Sequence, residues 1–219
     1  MGVITISRKM GSEGTYIGRK VAKRLNMAYA DKAFISKIMR EYGFSAFKEV
    51  YDETPTFWDK FLTIREQTID FLAKTEQAIG KADNVVIVGR GGFGIFENYN
   101  DVLNIRTKAP LEIRVKRQMA EHDISYEEAY THVLENDKVR KNFVESDFRF
   151  DYQNTNSFDM IINTAIIDPD KSVDYICEVY DSLIKNGRSS TSKNLKDLEV
   201  DPILLKYVRE ELDKTKDAL

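Results

Sequence analysis

The feature that most constrains this chain is a repeated alternation. Short β-branched runs, "VITIS" at 3–7, "NVVIVG" at 84–89, "DVLNIRT" at 101–107 and "FDMIINT" at 158–164, are separated by segments of helical periodicity. Apolar runs of this length, bounded by turn formers, read as strands buried on both faces, the pattern of a parallel sheet. After the first run, Ile17, Val21 and Leu25 recur at four-residue steps, one apolar stripe of a helix. The alternation predicts an α/β fold, a mainly parallel sheet sandwiched by helices, with ligands beyond the carboxyl ends of the strands.

Further helices follow from the same reading. Asp31 is placed to cap a helix through Arg40. Residues 43–56 read as loop, and a longer helix then carries Phe61, Ile64, Thr68, Leu72 and Ile79, closing near Gly80. Two helices are expected over 109–121 and 125–143, and Val173, Ile176, Cys177, Tyr180 and Ile184 form another stripe. Residues 185–194 have linker composition. A last amphipathic helix over 201–216, apolar at Leu204, Tyr207, Val208 and Leu212, needs cover from its own core or from a second subunit in a homodimer.

Composition narrows the function classes. The 33 basic and 36 acidic residues nearly cancel, which suits a small anionic ligand better than a nucleic-acid polymer bound through a net basic face. Arg106, Lys108, Arg114, Lys116 and Arg117 form a local basic cluster. The single cysteine, Cys177, leaves no disulfide framework and points to a reducing, cytoplasmic setting. No apolar run approaches a membrane span, and "MGVITI" is too short for a secretory leader.

Three stretches are candidates for chemistry. In the first, Gly11, Ser12, Glu13, Gly14 and Thr15 lie between a strand and a helix, where backbone N–H groups and the helix dipole hold phosphates. Set against G-x-x-x-x-G-K-[ST], Arg8 occupies the first Gly position, Glu13 the second, Gly14 the Lys, and Thr15 alone agrees. An ordinary tight βα turn explains the glycines equally well. In the second, "GRGG" at 89–92 puts Arg90 at the end of a buried strand; its guanidinium suits a phosphate or a structural carboxylate. In the third, Arg114 and Arg117 share a helix face, as do Asp137 and Arg140 on the next helix. These are either a basic lid that closes over phosphates or solvated helix faces.

Together, "ITISRKMGSEGTYIGRKVAKRLNMAYADKAFI", "VVIVGRGGFGIF", "VLNIRTKAPLEIRVKRQ", "ISYEEAYTHVLENDKVRKNF" and "FDMIINTAII" resemble, in order and spacing, the cytidylate kinase-like family among the P-loop nucleoside monophosphate kinases. The resemblance covers roughly residues 3–185. It implies a P-loop nucleoside-kinase fold over 1–186, with an insert at about 45–80, a helical lid at about 110–150, and a linker and C-terminal helical tail over 187–219. It implies ATP and Mg²⁺ as cofactors, small nucleotide substrates, and phosphoryl transfer to CMP or dCMP. The segment from Arg8 to Thr15 would then hold the donor phosphates, with Thr15 meeting magnesium. Asp31, matching the acidic position after the family's second strand, and Arg90, matching the arginine of its "GR", would face the acceptor monophosphate. Arg114 and Arg117 resemble the start of the lid, and Asp137 and Arg140 its second half.

Two departures stand out. Gly14 occupies the place of the phosphate-loop lysine, and Val88 the place of an acid just before Gly89. Phosphoryl transfer rests on positioning and charge neutralisation, so Arg8 and Lys9 are candidates to supply the missing charge. The competing reading is a non-catalytic nucleotide- or anion-binding protein that retains the kinase fold. A dinucleotide-dependent oxidoreductase would need G-x-G-x-x-G, which "GSEGTYIG" does not provide.

Overall fold

The computed structural model describes residues 2–44, 62–188 and 193–216. Five strands, β1 (Val3–Arg8), β2 (Ala28–Ala30), β3 (Val85–Val88), β4 (Val102–Lys108) and β5 (Met160–Asn163), form one parallel sheet in the order β2-β3-β1-β4-β5. In register, Val3 stands between Val85 and Val102, and Ser7 lies beside Arg106. β1 is central, so the turn that follows it opens at the middle of the carboxyl edge.

Helices cover both faces, because every interior strand carries apolar side chains on both sides. On one face, Ile17, Val21 and Ala22 of α1 (Gly14–Arg24) and Val173, Ile176, Cys177 and Tyr180 of α7 (Pro169–Asn186) pack on Ile4, Ile6, Val86 and Ile105. On the other face lie α2 (Lys32–Glu41), α3 (Leu62–Ala82), the single turn α4 (Gly92–Ile95) and α8 (Pro202–Lys216). Asp31 caps α2 by accepting from the amides of Ala33 and Phe34. α5 (Leu111–His122) and α6 (Tyr126–Asn142) stand beyond the carboxyl edge, and Ser125 and Glu128 form a capping box that starts α6.

Leu204, Val208 and Leu212 of α8 are buried against the chain's own core, so within the chain the tail helix finds its cover. Thr215 on that helix accepts the amide hydrogen of Tyr29, which occupies an otherwise open donor of the edge strand β2. Thr68, Leu72 and Ile79 are buried on α3, as their spacing predicts. Most of the expected 43–56 loop, and Phe61, lie outside the described residues, as do 189–192 of the linker. β2 and α4 have no counterpart in the hydrophobic periodicity: three residues and four residues are too short to show a period.

Candidate functional site

β1 delivers Arg8 to the carboxyl edge, and the chain turns through Lys9–Glu13 into α1. The turn is held from inside by Ser12. Its fully buried hydroxyl donates to the Lys9 carbonyl at 2.7 Å and lies 2.9 Å from the Thr107 hydroxyl. Glu13 takes the left-handed conformation at φ 60°, unfavourable for a residue with a Cβ. It provides no side-chain cap for α1, so the first-turn N–H groups of that helix remain available to an anion. Above them opens a cavity of about 650 Å³. It is lined by the loop from Arg8 to Thr15, by Arg19, Lys20 and Lys23 of α1, and by Gln118, Glu121 and Arg140 from α5 and α6.

The Arg8 side chain passes in front of Gly14. A Cβ built on Gly14 would lie 2.6 Å from the Arg8 Cβ and 2.7 Å from the Thr107 hydroxyl, closer than packed atoms approach. The Arg8 stem therefore runs across position 14. Its guanidinium reaches the strand end next door, where a Cβ on Gly89 would collide with Nη1. Gly14 leaves room for the Arg8 stem, and Gly89, at φ 88°, takes a left-handed conformation beside its guanidinium.

The helix pair beyond the edge is bonded to the loop. Arg114, 4% exposed, donates to the Met10 and Ala109 carbonyls and pairs with Asp137 at 2.7 Å. Arg117 donates to the Gly11 carbonyl and to both the hydroxyl and carbonyl oxygens of Thr164, and lies 3.6 Å from Glu13. Asp137 accepts the Met10 amide hydrogen at 3.0 Å. These three side chains grip the loop's backbone, and neither cavity is lined by them. Arg140 is different. Its Nη2 lies 3.5 Å from the Met10 sulfur, and Nη1 is buried without a hydrogen-bond partner.

A second, smaller cavity of about 20 Å³ lies against "GRGG". Gly89, Arg90 and Gly91 take φ of 88°, 59° and 84° in succession, a conformation that a strand end adopts only when its surroundings enforce it. Arg90 is 5% exposed, with its guanidinium 5.7 Å from the Phe143 ring centroid. Phe148 packs against Gly91 and Phe150 against Gly94. Arg8 and Arg140 line this cavity as well as the larger one. Beneath it, Glu76 of α3 is wholly buried, and neither carboxylate oxygen has a partner. Burial pushes its carboxyl well above the usual range, an effect that the charge of Arg90 reduces.

Of the residues singled out in the sequence, Arg8, Lys9, Gly11, Ser12, Glu13, Gly14, Thr15 and Arg140 line the larger cavity, and Arg90 the smaller. Asp31 lines neither; it caps α2 and lies 3.9 Å from Arg19. The sequence indicated neither Glu76 nor Tyr152, and Arg106 only as one member of a basic cluster. Glu76 carried a usable signal, an acid in register with the buried stripe of Leu72 and Ile79. Arg106 carried another, since with Asn104 it puts polar side chains on one face of an apolar strand. Tyr152 lies in irregular chain and gave none.

The sequence profile of the cytidylate kinase-like family matches residues 3–166. A cytidylate kinase of Ignicoccus hospitalis is 30% identical over 177 residues, spanning 80% of this chain and 97% of that protein. Among solved structures, an uncharacterized protein from Eubacterium ventriosum has a TM-score of 0.64 at 21% identity, covering 82% of this chain and 98% of its own. A sugar kinase from Janibacter sp. HTCC2649 has a TM-score of 0.50 at 12% identity, covering 83% and 95%. The two structures share the fold. With the profile spanning most of its length, the chain belongs to the cytidylate kinase-like family.

Proposed function

We propose that this chain is an ATP-dependent kinase that phosphorylates a nucleoside monophosphate, with CMP or dCMP as the acceptor. The observation that carries the reading is that Arg8 and Arg140 line both cavities. A donor triphosphate in the larger cavity and an acceptor phosphate in the smaller would then meet at two guanidinium groups. The acceptor's phosphate oxygen attacks the γ-phosphorus, the bond to the β-phosphate bridging oxygen breaks, and ADP and a nucleoside diphosphate result.

In this reading the loop amides and the dipole of α1 hold the β-phosphate. Arg8 takes the role of the absent lysine, with Lys9 nearby, and Arg90 holds the acceptor phosphate. Arg114, Arg117 and Asp137 act as positioning residues that keep the loop open through bonds to its backbone. Thr15, exposed at the first turn of α1, fits a divalent cation as one hydroxyl ligand. Among the described residues no cluster of three acidic, histidine or cysteine side chains could hold a metal. Phosphate oxygens and water would complete the shell, as magnesium favours. When bound, the ion neutralises charge that builds on the β- and γ-oxygens. The working unit in this account is residues 1–186, with its lid at about 110–150 and its insert at about 45–80. Within the tail over 187–219, α8 braces the β2 side, and the setting is a reducing compartment such as the cytoplasm.

A panel of nucleoside monophosphates with ATP and magnesium tests the proposal. Diphosphate product is expected with a cytosine acceptor, and absence of product with every acceptor would remove it. A second reading, a nucleotide-binding protein without transfer, is favoured by the smallness of the inner cavity and by Val88 in place of an acid. ADP formation that depends on the acceptor rules it out.

A further inference from the structure

Arg106 sits in β4 directly beside Ser7 of β1, and both side chains face the side of the sheet that carries the smaller cavity. Its guanidinium carbon lies 4.3 Å from the Tyr152 ring centroid and 4.6 Å from that of Phe158. The residue is 8% exposed, and its Nε and Nη2 are buried without a hydrogen-bond partner. Asp159 is engaged with the Asn104 amide and Arg188, Glu97 with Ser157, and the buried Glu76 is under the charge of Arg90. Tyr152, 7% exposed, walls the cavity, and its hydroxyl is also buried without a partner.

A guanidinium stays charged in a protein, and burying its donors without acceptors is costly. The aromatic rings offset part of that through cation–π attraction. They lie against the guanidinium, and two of its three nitrogens are left without an acceptor. The N–H edges of a guanidinium present coplanar donors spaced to match the oxygens of a phosphate. A water in a cavity of about 20 Å³ could occupy one donor, but it would leave the charge in place.

We infer that Arg106 and Tyr152 form a phosphate-recognition pair at the smaller cavity, Tyr152 in its wall and Arg106 behind that wall beside Ser7, binding the acceptor's phosphate alongside Arg90. This rests on the kinase reading only for the identity of the molecule that brings the phosphate. An acceptor without a phosphate, such as a free nucleoside, would leave the pair unmatched, so the site selects for monophosphates.

The test compares wild type with Arg106→Met and Tyr152→Phe. In steady-state kinetics, Arg106→Met is expected to raise the acceptor KM by at least about tenfold while the ATP KM stays within about twofold. In thermal melts with saturating ADP and magnesium, so that the loop is occupied, added inorganic phosphate should stabilise wild type and fail to stabilise Arg106→Met. An equal concentration of acetate should stabilise neither. The free Arg106→Met protein should melt no lower than wild type, because an uncompensated buried charge has gone. A lower melting temperature with unchanged acceptor KM and unchanged phosphate response would show that Arg106 only packs the two rings, and would overturn the inference. Should that variant fail to fold, Tyr152→Phe decides alone, because it keeps the ring and removes one oxygen. A phosphate response reduced severalfold supports the pair, and an unchanged response refutes it. The phosphate arm needs no turnover, so loss of the kinase reading and loss of this site are separate results.

Discussion

At the scale of single residues, the central fact is an interlock. Arg8 fills the space in front of Gly14 and over Gly89, so the side chains allowed at 14 and 89 depend on the arginine at 8. A larger side chain at position 14 therefore meets Arg8. Gly14→Ala already places a methyl 2.6 Å from the Arg8 Cβ and is expected to cost about 2 kcal/mol by overpacking, with Gly14→Lys worse, as read in urea denaturation. Glu76 offers a pH-dependent test. Its carboxyl titrates above the ordinary value of 4.5 because it is buried, and Arg90 is the charge that opposes the shift. The folded protein thus holds a proton that the unfolded chain releases, so this group's contribution is complete below about pH 4.5 and is lost as pH rises through the raised value. Glu76→Gln does not titrate, and its stability relative to wild type should grow with rising pH. A constant difference between pH 5 and pH 8 would show that Glu76 does not titrate in that window.

At the scale of elements, the strand–helix alternation was legible because each strand is apolar on both sides and each helix carries a four-residue stripe. The glycines of both turns were legible for the same reason. What escaped was long-range. Nothing local to Arg114 or Asp137 indicates that they bond the carbonyl and amide of Met10, more than a hundred residues away in sequence. Nor does a period reveal the π-helical turn Phe143–Asp147 that ends α6. That turn is pinned to α3 through Arg65, whose Nε and Nη2 donate to Asp147 at 2.9 Å and 2.5 Å. Both side chains are largely buried, and burial raises the Asp147 carboxyl against the opposing pull of Arg65. Asp147→Ala strands the arginine charge and is expected to cost about 3 kcal/mol. It should also loosen the aromatic segment that carries Phe148 and Phe150 over the glycines, read as faster amide exchange across 143–152.

At the scale of the molecule, one sheet edge gathers the loop after β1, the strand end of β3 and the helix pair α5–α6 around two cavities that share Arg8 and Arg140. The sequence indicated the larger cavity, because its lining is nearly contiguous in the chain. Of the smaller it indicated the Gly89–Gly91 turn with Arg90, while the other walls come from β1, α4, α6, the turn that ends α6 and irregular chain around Tyr152. Among the described residues no helix is long and apolar enough to cross a membrane. Charge at the junction of the two cavities, from Arg8 and Arg140, is what the proposed transfer depends on. The direct measurement is CDP formation from CMP, ATP and magnesium by wild type and by Arg8→Met, which keeps the stem over Gly14 and removes the guanidinium. The expected result is CDP from wild type and a rate at least about a hundredfold lower from the variant, as for loss of a transition-state donor, with its melting temperature little changed. A folded Arg8→Met protein that forms CDP within about twofold of wild type would contradict it.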